Sequence, residues 1–224
     1  MLLHQFKGVS VKDSFDADIL DDLFKIVPEF VLDPVFLCDK QNFIDAAEKA
    51  PAKEAESVNS FIWSYVKNGD SRKTELLLRG NNILLGKYAC PLKNFIDINR
   101  YPESLKAIDL EPAFHILADD WLYYLINSKF VITDDYYGMC FALIFEKPFI
   151  VMVSEDMSDL SRYVSLLSLL GLEERLVYMT DDFRDKEYLF RKPVRYDRVN
   201  KKLDGLKKSS YKWLTSKMGI DIGE

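Results

Sequence analysis

The sequence predicts an α/β protein with a Rossmann-like, doubly wound parallel sheet. Two short runs, residues 130–132 and 149–153, are apolar on both faces, as in strands buried on both sides of a parallel sheet. Apolar residues at helical spacing occur at residues 121–126 and 141–145, and Pro148 ends the second helix before the second run. Strand, helix and strand in this order form a βαβ unit, and the same alternation elsewhere in the chain favours the doubly wound class.

The remaining elements are predicted from the same periodicities and from capping and breaking residues. In chain order they are a strand at 6–11, a helix at 18–26 capped by Asp16, a strand at 30–32, a helix at 40–50, a polar loop at 51–57, a strand at 61–66, a helix at 71–79 and a strand at 83–86. Residues 94–112 are predicted to be irregular because two prolines interrupt them. A helix at 160–170 follows the βαβ unit and is expected to end at Gly171.

Composition places the chain among globular proteins. It has 224 residues, of which 48% are apolar and 13% aromatic, enough for a sizeable core. Its apolar runs are too short for a membrane span, and its N-terminus has no signal-peptide pattern, so we expect a cytoplasmic protein. Three widely spaced cysteines and two histidines argue against a metal site and favour reduced thiols.

Charge is distributed unevenly along the chain. Residues 191–217 hold ten Lys or Arg and two Asp, although the whole chain carries a net charge of −6. Apolar residues recur near helical spacing in this segment, at Val199, Leu203, Leu206 and Trp213. We therefore predict a Rossmann-like domain at 1–190 and a basic amphipathic helix at 191–224 that packs on it. A solvated helix face is the favoured interpretation of the charge, with a membrane surface, an anionic carrier lipid or nucleic acid as alternatives.

The polar turn that follows residues 130–132 is the strongest candidate site. Ligands of open parallel sheets bind beyond the carboxyl ends of the strands, where this turn lies. Backbone N–H groups of Tyr137, Gly138 and Met139 would begin a helix and suit an anion, and Gly138 would permit close approach. Alternatively, Asp134 or Asp135 caps the helix, which is compatible with binding. Two aspartates would also repel an anion and favour a cation, a sugar hydroxyl or no ligand.

Four other residue types have simpler interpretations. We expect His115 to be a packed or surface histidine, the pair at 119–120 to cap a helix, Cys140 to be a packed thiol and Arg175 to form a structural ion pair.

Residues 133–138 read Thr-Asp-Asp-Tyr-Tyr-Gly, residues 141–145 Phe-Ala-Leu-Ile-Phe and residues 147–150 Lys-Pro-Phe-Ile. This order resembles the C-terminal half of the polysaccharide pyruvyl transferase family, whose members show Thr-Asp, Ser-Phe-His-Gly, a helix such as Phe-Ser-Ile-Leu-Phe, and Lys-Pro-Phe-Ile. Asp135 stands where the family has Ser, and Tyr137 where it has His.

Further segments extend the resemblance over roughly residues 6–177. Residues 9–12 are similar to the family's Ser-Val-Arg-Glu strand, with Lys12 in place of Arg. Residues 31–37 and 161–175 are similar to its Leu-Asp-Pro-x-Phe-Leu and Ser-Arg-Phe…Leu-Gly-Leu…Arg patterns. The family is built of two Rossmann-like halves, similar to the GT-B glycosyltransferase architecture. The resemblance thus implies that an N-terminal half is missing, in a natural half-protein, a truncated product or an excised fragment.

The resemblance implies transfer of pyruvate from phosphoenolpyruvate to a sugar of a cell-surface polysaccharide precursor, as in exopolysaccharide biosynthesis, with no cofactor beyond that donor substrate. Arg162 and Lys12 would hold the donor anion, and Tyr137 would stand at the position of the proton-transfer residue. The implied partners are a sugar or lipid-linked glycan acceptor and the missing half, with no nucleic acid. Peripheral membrane contact remains open. Arg162 would otherwise pair with Glu155, Asp156 or Asp159, and Tyr137 would otherwise be a structural aromatic.

Two other functions remain open. The first is a degenerate, noncatalytic domain that binds a nucleotide-sugar, a glycan or a partner protein, which the replacements at Lys12, Asp135 and Tyr137 favour. The second is a GT-B-like glycosyltransferase activity, which rests on fold analogy alone.

Overall fold

The computed structural model describes residues 2–51, 61–66, 71–88, 92–94 and 117–219. The chain divides into two compact units. The first consists of Met1–Cys38, Ser158–Glu173 and Arg195–Glu224, and the second of Asp39–Met157 and Glu174–Val194. The chain therefore leaves and re-enters the first unit twice.

The second unit contains a parallel sheet of five strands. They are β3 (Ile62–Tyr65), β4 (Leu92–Asn94), β5 (Phe130–Thr133), β6 (Phe149–Val153) and β7 (Leu176–Tyr178). Their order across the sheet is β4–β3–β5–β6–β7. The order reverses between β3 and β5, because the chain first moves outward to β4 and then returns to the other side of β3. This is the doubly wound arrangement, and it confirms the predicted Rossmann-like α/β class.

Helices flank this sheet. In the second unit they are α2 (Lys40–Ala47), α3 (Ser71–Tyr88), α4 (Ala118–Asn127), α5 (Tyr136–Ile144) and α7 (Phe183–Lys186). The fully buried core residues Phe130 and Ile132 of β5 pack with Leu76 and Leu77 of α3. Alternate residues of a strand point to opposite faces, so both faces of the sheet are covered by apolar side chains.

The opposite face of the sheet holds an aromatic cluster. Trp63 of β3 and Trp121 of α4 make an edge-to-face contact with ring centres 5.0 Å apart, and Phe141 of α5 lies 5.6 Å from Trp121. Such contacts stabilise a core beyond the burial of apolar area. They fix α4 and α5, and hence the turn that begins α5.

Among its described residues, the first unit pairs two short strands and carries three α-helices. These are β1 (Ser10–Val11), β2 (Glu29–Phe30), α1 (Ser14–Phe24), α6 (Leu160–Leu170) and α8 (Tyr196–Met218). α6 ends at Gly171 in the left-handed conformation (φ 72°), as predicted. The Ser210 hydroxyl of α8 accepts a hydrogen bond from the Leu32 N–H at 2.9 Å, which ties α8 to the segment after β2.

Several predicted boundaries are wrong. The strand predicted at 83–86 is part of α3, which continues through Gly80 to Tyr88 because Leu76, Leu77 and Leu84 are buried at helical spacing. The first helix begins at Ser14, where Asp13 rather than Asp16 caps it by accepting the Asp16 N–H at 2.9 Å.

The remaining differences concern the ends of other elements. The strand predicted at 6–11 is reduced to β1, and the helix predicted at 40–50 ends at Ala47. α4 has no side-chain cap, although aspartates 119 and 120 lie in its first turn.

Arg175 is fully buried and donates hydrogen bonds to the carbonyl oxygens of Phe149, Leu189 and Lys192. Cys140 is a buried thiol, as predicted. Three predictions lie outside the described residues. They concern the loop at 51–57 beyond residue 51, the irregular segment at 94–112 beyond residue 94, and His115.

Candidate functional site

The turn after β5 lies at the point where the sheet reverses its strand order. Tyr65, the last residue of β3, pairs with Thr133, the last residue of β5. The chain leaves these two neighbouring strands in opposite directions across the sheet, which opens a crevice beyond their carboxyl ends. The sequence-based prediction of a turn at a carboxyl end is therefore confirmed, and the strand order makes this end a preferred ligand position.

Hydrogen bonds to Thr133 and Tyr65 hold this turn in place. The Thr133 hydroxyl donates to the carbonyl oxygen of Tyr65 at 2.7 Å and accepts the N–H of Asp135 at 3.0 Å. The N–H of Asp134 donates to the same Tyr65 carbonyl at 3.3 Å. One hydroxyl and one backbone N–H thus anchor the turn to the neighbouring strand β3.

Asp135 caps α5. Its carboxylate accepts the N–H of Gly138 at 2.9 Å, and its carbonyl oxygen accepts the N–H of Met139 at 3.1 Å. The capping interpretation is therefore confirmed. Two of the three N–H groups expected to face an anion already donate within the chain, and the Asp135 carboxylate takes the place at the helix N-terminus that an anion would occupy.

Gly138 is required by packing. A Cβ at this position would lie 2.7 Å from the Thr133 hydroxyl oxygen and 3.2 Å from its methyl carbon. Only glycine lets the first turn of α5 approach the end of β5 this closely. The residue thus has a structural role, independent of any ligand.

Asp134 forms a buried ion pair that the sequence analysis missed. The Lys73 ammonium donates to its carboxylate at 2.7 Å, and the two side chains are only 6% and 3% exposed. Lys73 lies in the first turn of α3, on the same helical stripe as the buried Leu76, Leu77 and Leu84. The sequence signal that could have revealed this pair is a lysine on the apolar stripe of a predicted helix. The pair neutralises Asp134, so the turn repels an anionic ligand less than its two aspartates suggest.

Tyr137 is the exposed side chain of this turn. It is 45% exposed, whereas its neighbour Tyr136 is buried, and the two rings meet edge to face with centres 5.7 Å apart. The phenol therefore lies at the surface beside the carboxyl end of β5, where a ligand can reach it.

Lys12 and Arg162 belong to the first unit, and each pairs with an aspartate there. The Lys12 ammonium donates to the buried carboxylate of Asp33 at 2.8 Å, and this carboxylate also accepts the Val35 N–H at 3.1 Å. The Arg162 guanidinium forms an ion pair with Asp159, one helical turn earlier, as one interpretation of the sequence predicted. Lys12 is about one third exposed and Arg162 about one quarter.

A second candidate site is an open cleft of about 430 Å³ in the second unit, beyond the carboxyl end of β7. The sequence analysis did not find it. Arg72 is fixed there by its guanidinium, which lies 4.1 Å from the ring centre of Phe183 and donates to the carbonyl oxygens of Met179 (3.0 Å) and Asp181 (2.7 Å). The cleft is lined by Arg72, Glu75, Arg79, Thr180, Asp181, Asp182, Phe183 and Arg184.

Charges of both signs alternate in this cleft. Hydrogen bonds from the side chain and backbone of Arg184 hold the pKa of Asp182 at about 2, so this carboxylate is ionised at any physiological pH. Glu75 lies between Arg72 and Arg79, with nitrogen–oxygen distances of 3.2 and 3.0 Å. Such a surface suits a polar ligand with several hydrogen-bonding groups better than a simple anion.

Across the described ranges, no group of three His, Cys, Asp or Glu side chains is placed to hold a metal ion. Within the same part of the chain, no helix is both long and apolar enough to cross a membrane.

The parallel sheet and the anchored polar turn at its switch point define a Rossmann-like α/β protein with a candidate ligand site at the carboxyl edge. A family model for polysaccharide pyruvyl transferase matches residues 1–156, which is more than half of the 224 residues. The chain belongs to this family. The match includes Lys12 and the turn at 134–139, whereas Arg162 lies just beyond its end. No curated protein matches the chain.

Proposed function

We propose that this protein transfers pyruvate from phosphoenolpyruvate to a sugar of a cell-surface polysaccharide precursor. Two sugar hydroxyls would form bonds to the carbon that carries the phosphate and would lose two protons. One proton would be balanced by protonation of the methylene to a methyl group and the other by protonation of the leaving phosphate, giving a pyruvate ketal. Family membership and the anchored turn at the switch point, with Tyr137 exposed beside it, support this proposal. We further propose a sugar or lipid-linked glycan as acceptor and the cytoplasm as the place of reaction.

Arg162 and Lys12 are proposed to bind the anionic donor. A guanidinium grips a phosphate or carboxylate with two parallel hydrogen bonds, and an ammonium acts as a point charge. Arg162 now pairs with Asp159 and Lys12 with Asp33, so each cation would exchange its aspartate for a donor oxygen. Both aspartates would hold the cations in position until the donor arrives.

Tyr137 is proposed to supply the proton. A phenol hydroxyl carries a proton that it can donate as a general acid. Its exposure is compatible with this role, and no base has to deprotonate it first. A histidine at this position would exchange protons faster near neutral pH.

Calorimetric titration with phosphoenolpyruvate tests the donor site. We expect Arg162→Ala to abolish binding, because the remaining groups lack the guanidinium fork. Asp159→Asn is the matched control: it removes the ion pair but keeps the arginine, so binding should persist or tighten. If both variants bind like the unmodified chain, Arg162 does not hold the donor. If both lose binding, the ion pair matters for structure rather than for the ligand.

A noncatalytic binding domain is the second candidate, and the cap at α5 favours it. Asp135 occupies the N–H group of Gly138 that an anion would need. Under this alternative, millimolar phosphoenolpyruvate gives no calorimetric signal. A Tyr137→His variant that creates or raises pyruvyl transfer would indicate degeneration at this position. A Tyr137→Phe variant that retains full transfer would remove Tyr137 from the proposed chemistry.

A further inference from the structure

The outward face of α8 carries a continuous basic stripe. Arg198, Lys201, Lys208 and Lys212 are all exposed and follow one another on one side of the helix, with Gly205 completing the spacing of three or four residues. Within the described part of the chain, none of the four cationic side chains forms an ion pair. The stripe is a concentrated positive charge on a protein whose net charge is −6.

Packing of α8 does not use this stripe. The buried residues of the helix, Val199, Leu203 and Ser210, lie on the opposite side. A Cβ built at Gly205 meets no atom of the described residues within 4 Å, so no described side chain covers the middle of the stripe. The stripe is therefore free to contact another molecule.

The second half of α8 carries no negative side chain. The two aspartates of the helix, Asp197 and Asp204, both precede this part, so residues 205–219 contain lysines but no acid. Clustered lysines on one side of a helix are typical of segments that bind an anionic membrane surface.

We propose that α8 binds the surface of a membrane that contains anionic lipid. The stripe of Lys201, Lys208 and Lys212 would attract the anionic head groups. Nucleic acid is less favoured because three of the four cations are lysines, whereas arginine is the usual side chain for nucleic-acid recognition. The proposal does not depend on pyruvyl transfer.

Sedimentation of the full chain with lipid vesicles tests the charge component. The unmodified chain should bind vesicles of phosphatidylcholine with phosphatidylglycerol and not vesicles of phosphatidylcholine alone. Replacing the three lysines (Lys201→Gln, Lys208→Gln, Lys212→Gln) should weaken binding about 100-fold, because each lysine near an anionic surface contributes about fivefold. The control, Lys40→Gln with Lys49→Gln and Lys129→Gln, makes the same charge change on exposed lysines of the second unit. It should bind like the unmodified chain.

Substitutions at Gly205 make the test independent of lost structure. Gly205→Lys adds a fourth lysine to the stripe and should tighten vesicle binding about fivefold. Gly205→Gln adds a side chain of similar helix propensity without charge and should change binding little.

Salt gives a second test of the charge component. Binding to anionic vesicles should fall strongly at roughly 0.5 M salt, the range in which charge is strongly screened. The proposal is overturned if the unmodified chain fails to sediment with anionic vesicles, if the control variant loses as much binding as the stripe variant, or if a 20-nucleotide RNA binds in place of vesicles.

Discussion

Gly138 is the residue that most tightly constrains the candidate turn. In Gly138→Ala the new Cβ would lie 2.7 Å from the Thr133 hydroxyl, which itself is held by Tyr65 and Asp135 and has no free direction in which to move. We expect a loss of about 1–3 kcal/mol in the free energy of unfolding, as for other overpacked sites. Chemical denaturation measures it. Gly205→Ala is the control. Its added Cβ has no atom of the described residues within 4 Å, so the substitution should stabilise the protein.

Removing one partner of the Lys73–Asp134 pair is expected to lower the free energy of unfolding strongly, whereas replacing both partners should lower it much less. Lys73→Met leaves a buried carboxylate without its ammonium, at a cost of about 3–5 kcal/mol, and Asp134→Leu has the corresponding effect on the ammonium. The double variant leaves no uncompensated charge, so its loss in stability should be well below the sum of the single losses. A double-mutant cycle from urea unfolding checks this. Additive losses would mean that the two charges are not coupled in the folded protein.

Lys147 should make stability depend on pH in the alkaline range. Burial, together with the charges of Lys129 and Lys40, lowers its pKa to about 8, and its ammonium donates to the Ser128 carbonyl at 3.1 Å. The ordinary value is about 10.4, so between these two values the unfolded chain binds more protons and the contribution to stability rises with pH. Unfolding at pH 7, 8.5 and 10 should show this rise in the unmodified chain and in the exposed control Lys49→Met, but a smaller rise in Lys147→Met. Equal slopes in all three proteins would contradict it.

At the scale of residues, the sequence predicts local contacts and misses distant ones. The cap by Asp135 was predictable because its partner, Gly138, lies three positions away in a recognisable pattern. Lys73 was not identified because Asp134 is 61 positions distant, and no local rule joins them. The partners of Arg175 are carbonyl oxygens of other segments, which carry no mark in the sequence.

Helix α3 contains two glycines in opposite environments, which makes it a test of how packing overrides propensity. A Cβ at Gly80 would lie 2.7 Å from the Phe190 ring, whereas a Cβ at Gly86 meets no described atom within 4 Å. Gly80→Ala should therefore destabilise the protein although alanine favours helix. Gly86→Ala should stabilise it by up to about 1 kcal/mol. Thermal unfolding of the two variants side by side measures the difference, and a gain in both would show that Phe190 moves aside easily.

Gly80 shows why the prediction of elements failed in α3, whereas elements with stronger signals were predicted well. Gly80 predicted a helix end, and the short apolar run after it predicted a strand, yet the helix continues because Leu84 extends the buried stripe of Leu76 and Leu77. Elements with strong signals, such as β5, β6 and α6, were predicted nearly to the residue. Short strands such as β7 have three residues and too little pattern to be identified.

At the scale of the whole molecule, alternating elements predicted the parallel sheet, and residue contacts determined the rest. The first unit is assembled from three separate chain segments, so its membership depends on contacts across long stretches of sequence. Strand order likewise follows from which strands pair, and neither feature has a local signature. Family resemblance supplied what periodicity could not, because it relates ordered motifs spread over most of the chain.

The distribution of burial over the molecule predicts how it opens. All residues of β5 and β6 are buried, and both strands are interior to the five-stranded sheet. Their amides should exchange with deuterium only through global unfolding. β1 and β2 form a two-stranded sheet of two residues each, mostly half-buried or exposed, so their amides should exchange through local opening at a much lower free energy.

Hydrogen exchange followed by mass spectrometry of peptides measures the protection of both sheets. Denaturant should accelerate exchange in β5 and β6 steeply and in β1 and β2 weakly, because only global unfolding exposes a large surface. Equal protection and equal denaturant dependence would show that the whole molecule opens as one cooperative body.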